Sequence, residues 1–215
     1  MQASAEPIEA VARYYDSRVR EFGPTPWGVD WTCALTQKMR FVQLLKIAER
    51  RRRFSVNDLG CGYGALLSFV RERYGEHAVD YAGADVAPAM IECAERDFAH
   101  DARASFVVGS SLPRVADYSV ASGVFNVQLG HAPARWRSFV REVLDELHRA
   151  SRHGFAVNFI LPARRGLVPL EGLYRTRPAP WADYCRRTFG ADVEVVQGYG
   201  LREFTLLVRT AAPSR

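Results

Sequence analysis

The spacing of hydrophobic positions along the chain changes at about residue 54. Before it, apolar residues recur at helical intervals over 7–22 and 34–52, which predicts two amphipathic helices. The stretch between them, 23–28, is rich in glycine and proline and predicts a turn. After residue 54, short apolar runs alternate with helix-like segments. We therefore expect helices first and an alternating strand and helix fold after them.

The alternating part predicts a mostly parallel sheet. Five strands are predicted, at 54–59, 79–85, 104–109, 117–122 and 153–160. Helix-like segments lie between most of them, at 64–74, 87–98 and 133–150. Strands that alternate with helices pair in parallel through right-handed crossovers. We therefore predict a doubly wound, Rossmann-like α/β sheet with helices on both faces.

The end of the chain departs from this alternation. Two β-rich runs, 193–197 and 203–209, flank Gly198-Tyr199-Gly200, which predicts a hairpin. The last strand is then antiparallel to the others, and the sheet has seven strands. At 215 residues the chain has the length of one domain with a full hydrophobic core.

The composition excludes some classes of protein. Hydrophobic residues make up 48% and charged residues 25% of the chain, as in ordinary globular proteins. No apolar stretch approaches the roughly 20 residues of a membrane span, and the N-terminus lacks the pattern of a secretory signal. The four cysteines, Cys33, Cys61, Cys93 and Cys185, are far apart and form no CxxC pair. We therefore expect a cytoplasmic protein with reduced cysteines, no metal and no membrane partner.

The net charge of +5 raises the question of a nucleic-acid partner. The one dense basic run is Arg50-Arg51-Arg52-Arg53, at the end of the second predicted helix. It either complements the negative end of that helix or binds phosphate. Because no ordered strip of basic and aromatic residues is visible, we do not expect a nucleic-acid partner. We expect a monomer or a homodimer.

The most informative segment is a glycine-rich loop at the end of the first predicted strand. Gly60, Gly62 and Gly64 alternate with other residues and lead directly into a helix. Glycines there allow a tight turn and let a ligand approach the backbone closely. Since Gly60, Gly62 and Ala65 also satisfy the dinucleotide-binding spacing, the glycines alone leave a nicotinamide and an S-adenosylmethionine ligand open.

Two acids narrow the choice of ligand. Asp58 stands two positions before the first glycine, where a carboxylate repels a pyrophosphate but suits a ligand with ammonium and sulfonium groups. The other interpretation is that Asp58 caps the next helix or pairs with an arginine. Asp85 ends the second strand, about 25 residues after Gly60, where an acid accepts hydrogen bonds from ribose hydroxyls unless it only caps a helix.

Four segments, in order and spacing, resemble the motifs of class I S-adenosylmethionine-dependent methyltransferases. They are Asp58–Gly64, Ala84–Met90, Phe106–Pro113 and Ala116–Asn126. The resemblance covers about 54–210, and the C-terminal hairpin matches the antiparallel strand of that family. It implies S-adenosylmethionine as the cofactor.

The resemblance also implies the cofactor contacts. The loop of Gly60, Cys61 and Gly62 would pass under the methionine and the ribose, and Asp85 would hold the ribose hydroxyls. Val86 and Met90 would line the adenine, and the backbone at Ser122 and Gly123 would receive the ammonium group. The chain departs from the family where an acid often stands beside the adenine amine: it has Ser110 there, with Ser111 and Leu112 next to it.

The flanking segments resemble those of a group of small bacterial methyltransferases. Gly28-Val-Asp-Trp31 precedes the core and Tyr199-Gly-Leu-Arg-Glu-Phe-Thr205 lies near its end. The resemblance implies that residues 1–53 form a helical lid over a cofactor-binding core, 54–215, within one domain. Aromatic residues of the lid either contact the sulfonium or pack in the core, namely Tyr14, Tyr15, Trp27 and Trp31. Arg40 either pairs with the cofactor carboxylate or lies on a solvated helix face.

Methyl transfer is an in-line displacement that mainly requires alignment and exclusion of water. Asn126 follows the fourth strand, and Asn158 lies in the fifth. Each of them either orients an acceptor or satisfies backbone groups of a loop. His131 is the candidate for a general base, with a surface or capping role as the alternative. Tyr15 completes the catalytic candidates, and Tyr174 and Tyr184 are expected to wall the acceptor pocket.

Four functions compete at this point. Methyl transfer to a small-molecule acceptor leads, and the alternative on the same fold is a cyclase or lyase that consumes S-adenosylmethionine itself. A nucleic-acid or protein methyltransferase fits less well, because the fourth motif ends in Ser-Gly-Val-Phe-Asn126 and no recognition domain is visible. A nicotinamide oxidoreductase or a non-catalytic binding module comes last.

Overall fold

A seven-stranded sheet flanked by helices organises the chain. The computed structural model describes residues 5–31, 33–48, 52–164, 166, 168 and 171–210. The strands are β1 (Phe54–Leu59), β2 (Val79–Asp85), β3 (Ala104–Val108), β4 (Ala116–Ala121), β5 (Ser151–Ile160), β6 (Asp192–Val196) and β7 (Glu203–Arg209). The helices are α1 (Ala5–Phe22), α2 (Ala34–Leu44), α3 (Ala65–Tyr74), α4 (Pro88–Asp97), α5 (Pro133–Arg149) and α6 (Pro178–Phe189).

The strand order in the sheet is β3-β2-β1-β4-β5-β7-β6. Strands β1 to β5 pair in parallel, and β7 is antiparallel to both β5 and β6. The predicted doubly wound, mostly parallel sheet with an antiparallel C-terminal strand is thus confirmed. Strands β2 and β3 are added on one side of β1, and β4 and β5 on the other, so the order of the strands reverses between β1 and β4. A crevice opens at the carboxyl ends of the strands at such a switch point.

Two cores fill the faces of the sheet. On one face, α5 and α6 bury an aromatic cluster that includes Trp136, Phe159 and Phe204. On the other, α2 and α3 pack residues such as Leu44 and Leu67 against the central strands. Because helices cover both faces, the central strands are apolar on both sides, as parallel sheets generally are.

Two segments differ from the sequence-based expectation. Helix α6 was not predicted, because Pro178 and Pro180 hide its helical spacing, although both fall in the first turn, where proline is tolerated. The second helix ends at Leu44 and continues only as a short 3-10 turn over Leu45–Ala48. Of the basic run 50–53, residues 50 and 51 lie outside the described part of the chain.

A buried ion pair joins α2 to β7. The guanidinium of Arg40 donates from Nε to both carboxylate oxygens of Glu203, at 3.0 and 2.9 Å, and from Nη2 to the same carboxylate. Its Nη1 donates to the Thr36 carbonyl at 2.8 Å. Only 7% of Arg40 and 4% of Glu203 are exposed. Since both charges are almost removed from water, their geometry is tightly constrained.

The ion pair continues into a chain of hydrogen bonds across the sheet. The Asn158 Nδ2 of β5 donates to Glu203 Oε2 at 2.8 Å, and its Oδ1 accepts from the Gly123 amide at 2.8 Å. Asn158 is fully buried. These contacts connect the second N-terminal helix, through β7 and β5, to the loop that follows β4. We call Arg40, Glu203, Asn158 and Gly123 the buried chain.

We expect Glu203→Gln to lower the free energy of unfolding by about 3 kcal/mol, because it leaves the Arg40 charge buried without a counterion. Urea denaturation followed by circular dichroism measures this change. The double variant Arg40→Met/Glu203→Leu should be more stable than Glu203→Gln, since it buries no charge.

The matched control is the exposed pair Lys38–Glu72, whose side chains are 49% and 64% exposed. There, Glu72→Gln should change the free energy of unfolding by less than about 1 kcal/mol. If Glu203→Gln and Glu72→Gln lowered the free energy of unfolding equally, the buried pair would matter no more for stability than an exposed pair.

Candidate functional site

A cavity opens at the carboxyl ends of β1, β2 and β4, at the switch point of the sheet. Its floor is the loop after β1 and the residues that end β2. The loop after β4 and α5 form one wall, and residues of the N-terminal helices close it from above. This is the place where ligands bind in open α/β sheets.

The glycine loop forms the floor of the cavity. Gly60 and Gly62 have φ angles of 72° and 54°, in the left-handed region that favours glycine. A Cβ on Gly60 would lie 2.6 Å from the Val124 side chain, so a larger residue does not fit there. Cys61, between them, is buried, and burial raises the pKa of its thiol well above the usual value. Cys61 is therefore a neutral thiol, and it lines the cavity together with the two glycines.

Asp85 connects the glycine loop to the start of α4. Its Oδ2 accepts from the Gly62 amide at 2.8 Å and its Oδ1 from the Ala87 amide at 2.9 Å. Burial raises the pKa of this carboxyl, and the two backbone hydrogen bonds oppose the rise. Each oxygen keeps lone pairs, and the residue lines the cavity. The side chain can therefore accept hydrogen bonds from neighbouring hydroxyls of a ligand.

Asp58 is the least satisfied polar group of the floor. Its Oδ2 accepts from the Tyr81 hydroxyl at 2.6 Å, whereas its buried Oδ1 has no hydrogen-bond partner among the described residues. Burial raises the pKa of Asp58 to about 7, the nearby charge of Asp85 adds to the rise, and the Tyr81 hydrogen bond opposes it. A buried carboxylate without a cation favours a ligand that brings positive charge.

The loop after β4 lies at the end of the buried chain. Gly123 has a φ of 77°, and a Cβ there would come within 2.7 Å of the Trp31 ring. The Ser122 hydroxyl is buried, and no described residue pairs with it. Asn158, expected as a possible acceptor ligand, has both polar atoms of its side chain committed to Gly123 and Glu203. Its function in the structure is to hold the loop.

The N-terminal helices supply part of the roof. Tyr15 and Trp31 line the cavity, and the Asp16 carboxylate accepts from the Ala89 amide at 3.0 Å, which docks α1 on α4. Tyr14 does not line it: its hydroxyl donates to Asp30 at 2.8 Å, outside the cavity lining. Trp27 is 56% exposed and also lies outside the lining, which removes the basis for a contact with the sulfonium.

Arg40 and His131 each had two interpretations, and neither residue lines the cavity. Arg40 was expected either to pair with the cofactor carboxylate or to lie on a solvated helix face. It is instead buried, its guanidinium is used by Glu203 and Thr36, and it lies 3.8 Å from the centre of the Trp31 ring. His131 stacks against Trp136 at 6.2 Å and does not line the cavity, which removes the basis for a role as general base.

Of the other residues predicted to contact the cofactor, some line the cavity and some do not. Val86, Met90 and Ser110 line the cavity together with Ser122 and Gly123. Ser111 and Leu112 do not, and the Leu112 amide donates to Glu146 at 2.8 Å.

Three predicted residues lie elsewhere. Asn126 is buried outside the cavity lining, and its backbone carbonyl accepts from the Tyr174 amide at 2.8 Å. Tyr174 and Tyr184 line a different groove.

Sequence reasoning missed several residues of the site. Glu203 carried a signal, because a lone acid inside an apolar β-run has to find a buried partner. No local feature of the sequence indicates that the Tyr81 hydroxyl contacts Asp58. The apolar wall of Ile8, Val11 and Phe139 arises only when α1 and α5 meet across the cavity.

Two further findings concern the described residues alone. They contain no group of three or more histidine, cysteine, aspartate or glutamate residues placed to hold a metal ion. Within the same residues, no helix is both long enough and apolar enough to cross a membrane.

Comparisons with known proteins agree with this geometry. Residues 56–154 match the family model described as a methyltransferase domain. A curated protein of Mycobacterium tuberculosis, named provisionally as a methyltransferase, is 40% identical over 168 residues, which are 78% of this chain and all of that protein.

Solved structures show the same fold. Magnesium protoporphyrin IX methyltransferase from Synechocystis, crystallised with S-adenosylmethionine, superposes with a TM-score of 0.67 at 15% identity and covers 95% of this chain and 97% of its own. Human N-acetylserotonin methyltransferase, also with S-adenosylmethionine, has a TM-score of 0.64 at 20% identity over 97% of this chain and 60% of its own. The chain belongs to the methyltransferases, as the curated relative shows, and it has the fold of the class I S-adenosylmethionine-dependent enzymes.

Proposed function

We propose that the protein transfers the methyl group of S-adenosylmethionine to a small-molecule acceptor that binds against the apolar wall of the cavity. The observation that carries this proposal is the cavity floor, where two buried carboxylates lie beside a glycine loop and form no ion pair with any described residue. The residues fit the cofactor, because the unpaired Oδ1 of Asp58 and the unpaired hydroxyl of Ser122 both belong to residues that line this space.

The polar residues of the floor would hold the cofactor. Asp85 would accept hydrogen bonds from the ribose hydroxyls, and Val86, Met90 and Ser110 would surround the adenine. Asp58 and the backbone at Gly123 would receive the ammonium group. When bound, S-adenosylmethionine supplies a methyl carbon already activated by its sulfonium.

The roof would exclude water and orient the acceptor. Burial, and then the charge of Asp30, raise the pKa of the Tyr15 hydroxyl, which therefore stays neutral and acts as a hydrogen-bond donor. The described lining contains no histidine or lysine, so an acceptor would not lose its proton to such a side chain. Residues 1–53 would thus act as a lid on the core, 54–215.

The acceptor would meet an apolar surface. Ile8 and Val11 of α1 line the cavity together with Phe139 and Val143 of α5, and the four belong to one apolar cluster. Apolar side chains of this kind favour a ligand with an apolar or aromatic body through burial of its surface. A concave space of this size also favours a small molecule over a nucleic acid or a protein.

One observation favours a second candidate, in which the cofactor itself is the substrate of a cyclase or a lyase. The cavity volume is about 120 Å³, and a reaction that consumes the cofactor alone needs no further space for an acceptor. Both candidates use the same floor and differ in the fate of the methyl group.

Incubation of the protein with S-adenosylmethionine, followed by mass spectrometry, separates the two candidates. We expect the cofactor to remain intact alone and to become S-adenosylhomocysteine when a library of small aromatic and apolar acceptors is added. Methylthioadenosine formed without any acceptor would contradict methyl transfer and establish the second candidate.

The variant Asp85→Asn should weaken the binding of S-adenosylhomocysteine by about 1.5–3 kcal/mol, because it removes charge-assisted hydrogen bonds to the ribose. Isothermal titration calorimetry measures this loss. Asp97→Asn, at the exposed end of α4, is the matched control and should bind like the parent protein. Equal affinity of Asp85→Asn and the parent would show that the ribose is held elsewhere.

The binding of S-adenosylhomocysteine should weaken about tenfold between pH 8 and pH 6. The pKa of Asp58 is raised to about 7, so the carboxyl is protonated below that value and must lose its proton to receive an ammonium group. Binding therefore releases a proton at low pH, and affinity reaches its plateau about one pH unit above the pKa, near pH 8.

Calorimetry in two buffers of different ionisation enthalpy measures the released proton directly. Asp58→Asn should bind more weakly, with an affinity that no longer changes over this pH range. A pH profile that is the same in Asp58→Asn and in the parent would assign the titration to another group.

A further inference from the structure

A second concave surface lies between α5 and α6, with a volume of about 610 Å³. The segment after β5 forms one side, where Val127 forms a β-bridge with Leu173 and the Gln128 amide donates to the Gly172 carbonyl at 2.8 Å. Among the described residues, none lines both this surface and the cofactor cavity. We call it the α5–α6 groove.

The α5–α6 groove concentrates positive charge. Four arginines line it, Arg137 and Arg141 from α5, Arg175 from the preceding segment and Arg187 from α6. In the part of the chain that the structure describes, no aspartate or glutamate lines it. Cations that share one concave surface repel one another, and an anionic ligand relieves that repulsion.

Two of these arginines have no acidic partner. Arg137 and Arg187 are exposed, and neither forms an ion pair with any carboxylate of the described residues. Asp183 pairs with Arg186 at 3.3 Å, and Asp145 accepts from the Tyr184 hydroxyl at 2.7 Å and keeps its negative charge beside the groove. Because the described lining includes four arginines and no acid, its own net charge is positive.

Aromatic side chains form the apolar part of the groove. Trp181 is 4% exposed, and its Nε1 donates to the Tyr174 hydroxyl at 3.2 Å. Tyr184 packs edge-on against Trp181, with ring centres 6.4 Å apart. Arg141 lies 5.8 Å from the centre of the Tyr184 ring. Aromatic faces next to guanidinium groups suit a ligand that has both a ring and a negative charge.

The ends of the two helices add to this preference. Pro133 and Pro180 line the groove and lie in the first turns of α5 and α6. The first turn of a helix carries partial positive charge, which favours anions nearby. The first turns of both helices therefore favour an anion in the groove, as the arginines do.

We propose that the α5–α6 groove is a second ligand site, separate from the cofactor cavity, that binds a small organic anion with an aromatic ring. Arg137 and Arg187 hold its phosphate or carboxylate group, and the ring lies against Tyr174 and Tyr184. A small molecule is favoured over a nucleic acid because the arginines surround one concavity and do not follow a strip along the surface. The site does not depend on the methyl-transfer chemistry.

Calorimetry on the full chain at fixed ionic strength tests the site with four simple probes. Phenyl phosphate should bind saturably, inorganic phosphate more weakly because it lacks the ring, and benzyl alcohol not at all because it lacks the charge. Benzoate against phenyl phosphate distinguishes a carboxylate ligand from a phosphate ligand. Absence of saturable binding by both ring-bearing anions would overturn the proposal.

Variants locate the binding. Arg137→Ala/Arg187→Ala should weaken phenyl phosphate binding about tenfold or more. The control Arg73→Ala/Arg96→Ala removes the same charge from α3 and α4 and should leave binding unchanged. Arg137→Gln/Arg187→Gln repeats the test with side chains closer in length to arginine, and circular dichroism verifies folding of every variant. Equal weakening in the control would show nonspecific charge attraction and overturn the assignment.

Two competition experiments complete the test. Saturating S-adenosylhomocysteine should not displace phenyl phosphate, and its own affinity should be the same in Arg137→Ala/Arg187→Ala and in the parent. Displacement would place the anion in the cofactor cavity and overturn a separate site. A single-stranded oligonucleotide that binds more tightly than phenyl phosphate, with the same dependence on Arg137 and Arg187, would instead identify a nucleic-acid surface.

Discussion

The buried ion pair between Arg40 and Glu203 is the contact on which the architecture of the site depends. It links an N-terminal helix to a strand 163 positions later in the chain, and through Asn158 it reaches the amide of Gly123. Such a pair contributes little net stability compared with an apolar replacement, but it strongly disfavours any arrangement that separates its charges. The roof of the cavity and the loop after β4 are therefore fixed relative to each other by the same residues.

Charge is distributed unequally between the two concave surfaces of the protein. The cavity at the switch point has two buried carboxylates, Asp58 and Asp85, and the α5–α6 groove has four arginines. Among the described residues, Asp58 in the cavity and Arg137 and Arg187 in the groove have no partner of opposite charge, so each surface favours a ligand of opposite sign. Helix α5 borders both surfaces, with Phe139 and Val143 lining the cavity and Arg137 and Arg141 lining the groove.

Local features were predictable from the sequence, and features made by distant residues were not. The glycine loop, Asp58 and Asp85 lie within short segments whose strand, turn and helix pattern determines their position at one edge of the sheet. The function of Asn158 and of Arg40 depends on Glu203, whose position follows only from the insertion of β7 beside β5. Helix α6 was hidden by its prolines, and the α5–α6 groove, which it forms with α5, could not be predicted without it.

A crystal structure of the protein with S-adenosylhomocysteine is the most direct test of the proposed cofactor site. We expect the ligand at the switch point of the sheet, with its ribose hydroxyls on Asp85 and its ammonium group next to the unpaired oxygen of Asp58. A ligand bound elsewhere would contradict the proposed site. So would a ligand whose ammonium group lies away from Asp58, with the Tyr81 hydroxyl as the only partner of that carboxyl.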